Sequence, residues 1–230
     1  MTVPAIRGLC SMATRGLLQE LAAAHSQRSG VPVSFLAIGG VEAARRVSAG
    51  EPFDVVVLAS DAIDALVAQG RLDGGGKVDL VRSGVAVAVP AGAAHPDIST
   101  EDALRSAVRT ASGIAYSTGP SGVALMALLE RWGIAGEIRA RLVQAPPGVP
   151  VGALLARGEA ALGFQQWSEL IGLEGVDLVG PLPPEVQITT VFSAAPVGGC
   201  AQPAAVRALL EFMCSPDSAE AKLRHGMAPA

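Results

Sequence analysis

The 230 residues are 50% hydrophobic, 17% charged and 3% aromatic, with a net charge of −4. That length allows one large domain or two lobes of about 100 residues each. The longest uncharged apolar run, 84–94, holds Pro90 and stops at His95, well short of the about 20 residues that cross a bilayer, so no membrane insertion is expected. A scattered, mildly acidic charge distribution and few aromatic side chains give neither the basic face nor the stacking platform that nucleic acids require.

In chain order, short β-type runs alternate with helical stripes. Residues 5–9 read as a strand, and 14–26 as a helix with Leu17, Leu18, Leu21 and Ala22 on one face. A second strand is expected at 31–38 and a helix at 41–48, ended by Gly50. The apolar run 53–59, with Val55, Val56 and Val57 at its centre, has the pattern of a strand buried on both faces. Ser60 or Asp61 is expected to cap the next helix, which runs to Gln69 and closes at Gly70. This alternation predicts a parallel, doubly wound sheet.

Residues 73–77 read as a flexible turn, 85–89 as a strand and 90–96 as a loop, with Ser99 capping a helix over 100–108. Strands at 114–116, 142–143 and 160–164, with helices at 123–132 and 151–157, form a second α/β set. Extended structure returns at 186–194, before helices at 203–214 and 218–225. The expected fold is α/β, with two lobes of mostly parallel sheet flanked by helices and a ligand cleft between them. Cys10, Cys200 and Cys214 are odd in number and widely spaced, which suits buried small hydrophobes better than a disulfide framework or a metal motif. His25, His95 and His225 have no metal spacing and read as surface or capping residues. No metal or cofactor is expected.

Four junctions join a strand end to a helix start through small or hydroxyl residues: 10–14, 39–41, 117–122 and 146–150. Each exposes unpaired backbone N–H groups at a positive helix end, which suits a small anionic ligand. The residues 119–122 lack the Lys-Ser/Thr of a phosphate loop and the spacing of a nucleophile elbow. Arg45 and Arg46 read as a solvated helix face, and Arg82 either reaches a bound anion or cross-links the lobes.

The pair Ser11-Met12, the runs 44–57, 119–122 and 152–164, and the C-terminal helices resemble the molybdate-binding-protein branch of the type II periplasmic binding proteins, over nearly the full chain. The resemblance implies lobes of 1–84 with 191–230 and of 85–190, and a hinge near 83–85 and 187–190. It implies ligand contacts at Ser11 and Met12, at Gly39 and Gly40, at Ser121 and Gly122, near Val149 and at Gln166. Where that branch carries a serine-rich loop and a tyrosine hydroxyl, this chain has Gly39-Gly40 and Gln165-Gln166-Trp167. The exchange implies a roomier site with an amide, fitting a carboxylate.

Two functions follow from the resemblance. One is a solute-binding protein that holds a small anion and, if exported, serves an ABC transporter. The other is a cofactor-free isomerase of the aconitate-isomerase type, moving a proton and a double bond in a di- or tricarboxylate, with Tyr116, His95 and Glu169 as candidate bases. The chain as written opens without a basic and apolar leader, which gives a cytoplasmic expectation, or a periplasmic one if Met1 replaces a removed leader.

Overall fold

In the computed structural model, which describes residues 4–230, the chain folds as follows. The first half contains β1 (Ile6–Ser11), α1 (Arg15–Ser29), β2 (Val33–Ile38), α2 (Gly40–Ser48), β3 (Val55–Ala59), α3 (Ser60–Ala68), β4 (Val78–Pro90) and α4 (Glu101–Thr110). There follow β5 (Ile114–Tyr116), α5 (Pro120–Arg131), α6 (Ala135–Ile138), β6 (Leu142–Gln144), α7 (Val151–Ala156), β7 (Leu162–Gln166) and α8 (Trp167–Leu170). The chain closes with β8 (Val176–Pro181), β9 (Thr189–Pro196), α9 (Pro203–Cys214), α10 (Ala219–Arg224) and β10 (Met227–Pro229). Two compact units result: Met1–Ser83 with Val191–Ala230, and Gly84–Thr190. Both β4 and β9 carry residues of the two units.

In the first unit, β1 lies between β2 and β3, all parallel. Strand β9 runs antiparallel beside β3, and β10 pairs with 81–83 of β4. Every residue of β3 is buried, because alternate side chains serve two different cores. Val55 and Val57 join Leu17, Leu18 and Leu21 of α1 and Leu209 and Met213 of α9. Val56 and Leu58 join Ala43 and Val47 of α2 and Ile63 and Leu66 of α3. Each such side chain contributes about 1.5–3 kcal/mol by leaving water. Helix α1 ends where Gly30 takes φ 73° and returns its N–H to the Ser26 carbonyl, a conformation open to glycine at little cost.

In the second unit, β5 lies between β6 and β7, all parallel. Strand β4 runs antiparallel to β7, with Val85 opposite Gln166, and β8 runs antiparallel to β4. Val85 and Val87 pack with Leu125 and Leu129 of α5 on one face. Ala86 and Ala88 pack with Val151, Leu154 and Leu155 of α7 on the other.

Several local expectations change. Strand β4 begins at Val78, seven residues before the expected start, and no strand was expected at β8 or β10. Helix α5 begins at Pro120, which needs no N–H partner at the first helical position. Ser121 and Gly122 therefore lie in its first turn. Thr100, not Ser99, caps α4, its hydroxyl accepting from the Ala103 N–H at 3.2 Å. Ser60 is the first residue of α3, without a side-chain cap, and its hydroxyl accepts from Lys77 Nζ at 2.9 Å. That bond, the Lys77–Asp64 ion pair and the Asp73 cap of the 74–76 turn make 73–77 a hydrogen-bonded structure. His25 is buried with its ring 5.6 Å from that of Phe212, so it is a core residue whose pKa is lowered by desolvation. His225 closes α10 and lies 2.9 Å from Glu20. Cys10 is buried, Cys200 is half-buried and Cys214 is exposed, so the expectation of burial fails for Cys214.

Candidate functional site

Because β5, β6 and β7 are parallel, Tyr116, Gln144 and Gln166 come out at one edge of the second unit's sheet. This is the edge where open α/β sheets bind ligands. After Tyr116 the chain turns into α5 through a loop fixed by short hydrogen bonds. Ser117 Oγ lies 2.9 Å from Ser121 Oγ and accepts from the Gly119 N–H at 3.3 Å. The Gly119 carbonyl accepts from the Gly122 and Val123 N–H groups. The Ser121 N–H has no acceptor among the described residues, so it stands as a free donor at the positive end of a twelve-residue helix. A Cβ on Gly122 would fall 1.8 Å from the Ser117 carbonyl oxygen and 3.2 Å from Tyr116 Cδ2. Only glycine lets this loop lie so close to the helix start.

Strand alternation decides which face each side chain joins. Tyr116 is in register with Phe164, both belong to the core shared with α5, and Gln166 lies two residues beyond Phe164 on that face. Gln166 is 3% exposed. Its Nε2 donates to Thr190 Oγ1 at 2.7 Å, while its Oε1 is buried without a partner among the described residues.

Gln165 points to the opposite face. Its Oε1 accepts from the Val151 N–H at 2.8 Å, and its Nε2 donates to Glu169 Oε1 at 2.8 Å. Burial raises the Glu169 carboxyl to about 7, against the lowering effect of the Gln165 bond. The Val149 N–H donates to the Pro146 carbonyl at 3.0 Å. At this junction both amides are thus engaged by the protein itself.

In the first unit, Ser11 and Ile38 end adjacent parallel strands in register. Ser11 is buried, and its carbonyl accepts from Thr14 Oγ1 at 3.1 Å. Met12, half-buried, opens a 3-10 turn. Gly39 and Gly40 begin α2 beside open space, with nothing within 4 Å of a Cβ built on either. The Gly40 and Val41 N–H groups have no acceptor among the described residues.

One expected residue stands apart from the second unit's edge. His95 follows Pro90, at the far end of β4 from the Val85–Gln166 pair; it is exposed and 4.0 Å from Asp177. Arg82 is exposed on β4 opposite Ala228, without an ion pair among the described residues. Ser117 braces the start of α5, and Thr190, which was not among the expected contacts, braces Gln166. Among the described residues, no group of three or more His, Cys, Asp or Glu side chains is placed to hold a metal ion. No helix there is long and apolar enough to cross a membrane.

Two α/β units, each with helix starts at the carboxyl ends of parallel strands, are the architecture of a periplasmic-type binding protein. The chain belongs to the bacterial extracellular solute-binding protein family, whose profile matches residues 6–228. It is 39% identical over 229 residues to the aconitate isomerase of a Pseudomonas species, covering 96% of this chain and 86% of that protein. It is 24% identical over 215 residues to the molybdate-binding protein of Escherichia coli (strain K12), covering 91% and 83%. The periplasmic molybdate-binding protein of Azotobacter vinelandii superposes with a TM-score of 0.81 at 19% identity, covering 98% of this chain and 99% of that one.

Proposed function

We propose that the protein binds a small carboxylate-bearing anion through backbone N–H groups and short polar side chains at the strand ends. In the second unit Ser121, Gly122 and Gln166 carry these contacts; the first unit offers Ser11, Met12, Gly39 and Gly40 at its own strand ends. The observation that carries this reading is the free Ser121 N–H at the start of α5, at the same sheet edge as a buried amide whose oxygen is unsatisfied. A neutral donor set stabilises an anion through the helix dipole and hydrogen bonds. Membership of a solute-binding family supports reversible binding, and presentation of the ligand to a membrane transporter belongs to the same reading.

A second reading is supported by the 39% identity to an aconitate isomerase. Here a base removes a proton from the carbon beside a carboxylate. The electron pair forms the new double bond as the old one shifts, and the proton returns at the far carbon, so atoms and electrons balance. Tyr116, which ends β5 at the strand edge, is the base that this reading favours. Glu169 has a carboxyl poised near neutrality but is tied to the opposite face by Gln165. His95 lies at the other end of β4 from the Val85–Gln166 pair, which speaks against it as the base.

Thermal denaturation with molybdate, tungstate, sulfate and a series of di- and tricarboxylates tests the binding. We expect carboxylates to raise Tm more than the tetrahedral oxyanions; no stabilisation by any anion overturns the reading. NMR of the stabilising carboxylate in D₂O then separates the two functions. Deuterium incorporation or a shifted double bond establishes the isomerase, and an unchanged ligand establishes binding alone.

A further inference from the structure

Four buried side-chain oxygens lack a hydrogen-bond partner among the described residues: Ser83 Oγ, Gln166 Oε1, Ser168 Oγ and Gln187 Oε1. All lie on three short segments: the middle of β4, the β7–α8 junction and the approach to β9. Within the second unit these segments are bonded neighbours. Val85 is opposite Gln166 in the ladder, the Val85 N–H donates to the Ile188 carbonyl at 2.9 Å, and the Gln187 amide lies against Gly84. Folded proteins leave few such atoms, and each one costs about as much as a lost hydrogen bond. Gln166 and Gln187 lie on neighbouring segments of the second unit, and their open amide oxygens call for partners that the chain itself does not supply.

Gln166 has the most specific requirement of the four. A serine hydroxyl can turn to donate or accept, whereas an amide oxygen only accepts. The amide nitrogen of Gln166 is engaged with Thr190 Oγ1 at 2.7 Å, which leaves Oε1 as the open end of a side chain 97% out of solvent. It sits on the face and at the edge that carry Tyr116 and the free Ser121 N–H. A ligand held there by its negative charge must also present a hydrogen to satisfy this oxygen. Molybdate, tungstate and sulfate carry no hydrogen at neutral pH, and a fully ionised carboxylate without a hydroxyl carries none either.

We propose that Gln166 is a specificity-determining residue that selects, among small carboxylates, those bearing a hydrogen-bond donor, either a hydroxyl group or a carboxyl that stays protonated. This inference rests on the anion-binding reading above and narrows its ligand class.

Isothermal titration of the full chain with ligand pairs that differ by one hydroxyl tests it: malate against succinate, and citrate against propane-1,2,3-tricarboxylate. We expect the hydroxylated member to bind about ten-fold tighter or more, since a site built for a hydroxyl rejects the analogue that lacks it. Gln166→Leu should bring that ratio close to one. Gln166→Glu keeps an acceptor at the same place, so it should weaken both members yet preserve the ratio, which guards against misfolding of the leucine variant.

Titrations at pH 5.5 and 8 separate the two donors. A hydroxyl preference holds at both values, whereas donation by a protonated carboxyl is lost at the higher pH. Equal or tighter binding of the unhydroxylated member, with affinity unchanged between pH 5.5 and 8, overturns the proposal, because it means that the amide nitrogen faces the ligand and Thr190 donates to Oε1. Survival of the ratio in Gln166→Leu also overturns it. Failure of every carboxylate and oxyanion to bind rejects the anion-binding reading itself, and this inference with it.

Discussion

Gln165 joins Glu169 to the first amide of α7: one end of its side chain donates to the carboxyl at 2.8 Å, and the other accepts from the Val151 N–H at the same distance. A helix start and a buried acid are thereby fixed to the end of a strand by a single amide. The amide can satisfy both because Glu169 accepts whether ionised or not.

The first prediction concerns pH. The Glu169 carboxyl titrates at about 7 in the native state, against an ordinary value of 4.5. Between those values the native state holds a proton that the unfolded chain has released. Stability is therefore fully present below pH 4.5, falls as pH rises to about 7, and stays reduced above it. The loss is on the order of 3 kcal/mol. Glu169→Gln keeps an acceptor for Gln165 and removes the titration. Urea unfolding of the two proteins should agree near pH 4 and show the variant to be more stable at pH 8. Parallel curves across that range would remove Glu169 as the source.

The second prediction separates two glycines that both stand at helix starts. Gly122→Ala forces a Cβ to within 1.8 Å of the Ser117 carbonyl, so the 117–122 loop must move. We expect a loss of about 2–4 kcal/mol and the disappearance of anion-induced stabilisation. Gly40→Ala meets nothing within 4 Å and should change stability by less than about 0.5 kcal/mol. Thermal denaturation of the pair, with and without a stabilising carboxylate, decides the matter.

A third test lies at α4. Thr100→Ala removes the cap on Ala103 and should cost about 1 kcal/mol. Ser99→Ala should cost less than about 0.5 kcal/mol, because Ser99 directs its N–H to Asp97 at 2.9 Å and not into the helix. Equal losses in chemical unfolding would show that the helix begins a residue earlier.

Much of this architecture is written in periodicity. The Val-Val-Val centre of β3 and the leucine stripe of α1 read directly, since burial on two faces and on one face leave different patterns. The first half of β4 did not, because Asp79, Arg82 and Gly84 break the apolar run although Leu80, Val81 and Ser83 are buried. Strand β8 is concealed in the same way by Asp177 and Gly180, and Pro120 disguised a helix start as a loop. The strand-to-helix junctions that hold Ser11, Gly39, Gly40, Ser121 and Gly122 are legible from small and hydroxyl residues that follow apolar runs. The bonds Gln166–Thr190 and Gln165–Val151 left no trace, since they join residues 24 and 14 apart through side chains whose partners depend on the tertiary fold.

The second unit is one uninterrupted stretch of chain, whereas the first is made of two pieces. Strand β3 has its antiparallel neighbour only in 192–196 of β9, well over a hundred residues further on. A ribosome that builds domains as they emerge therefore releases the whole of 84–190 before the flank of β3 can be covered. Until then Val55–Ala59 presents an uncovered apolar edge, the kind of surface that chaperones shield. Of the two halves, the one begun first is the one finished last.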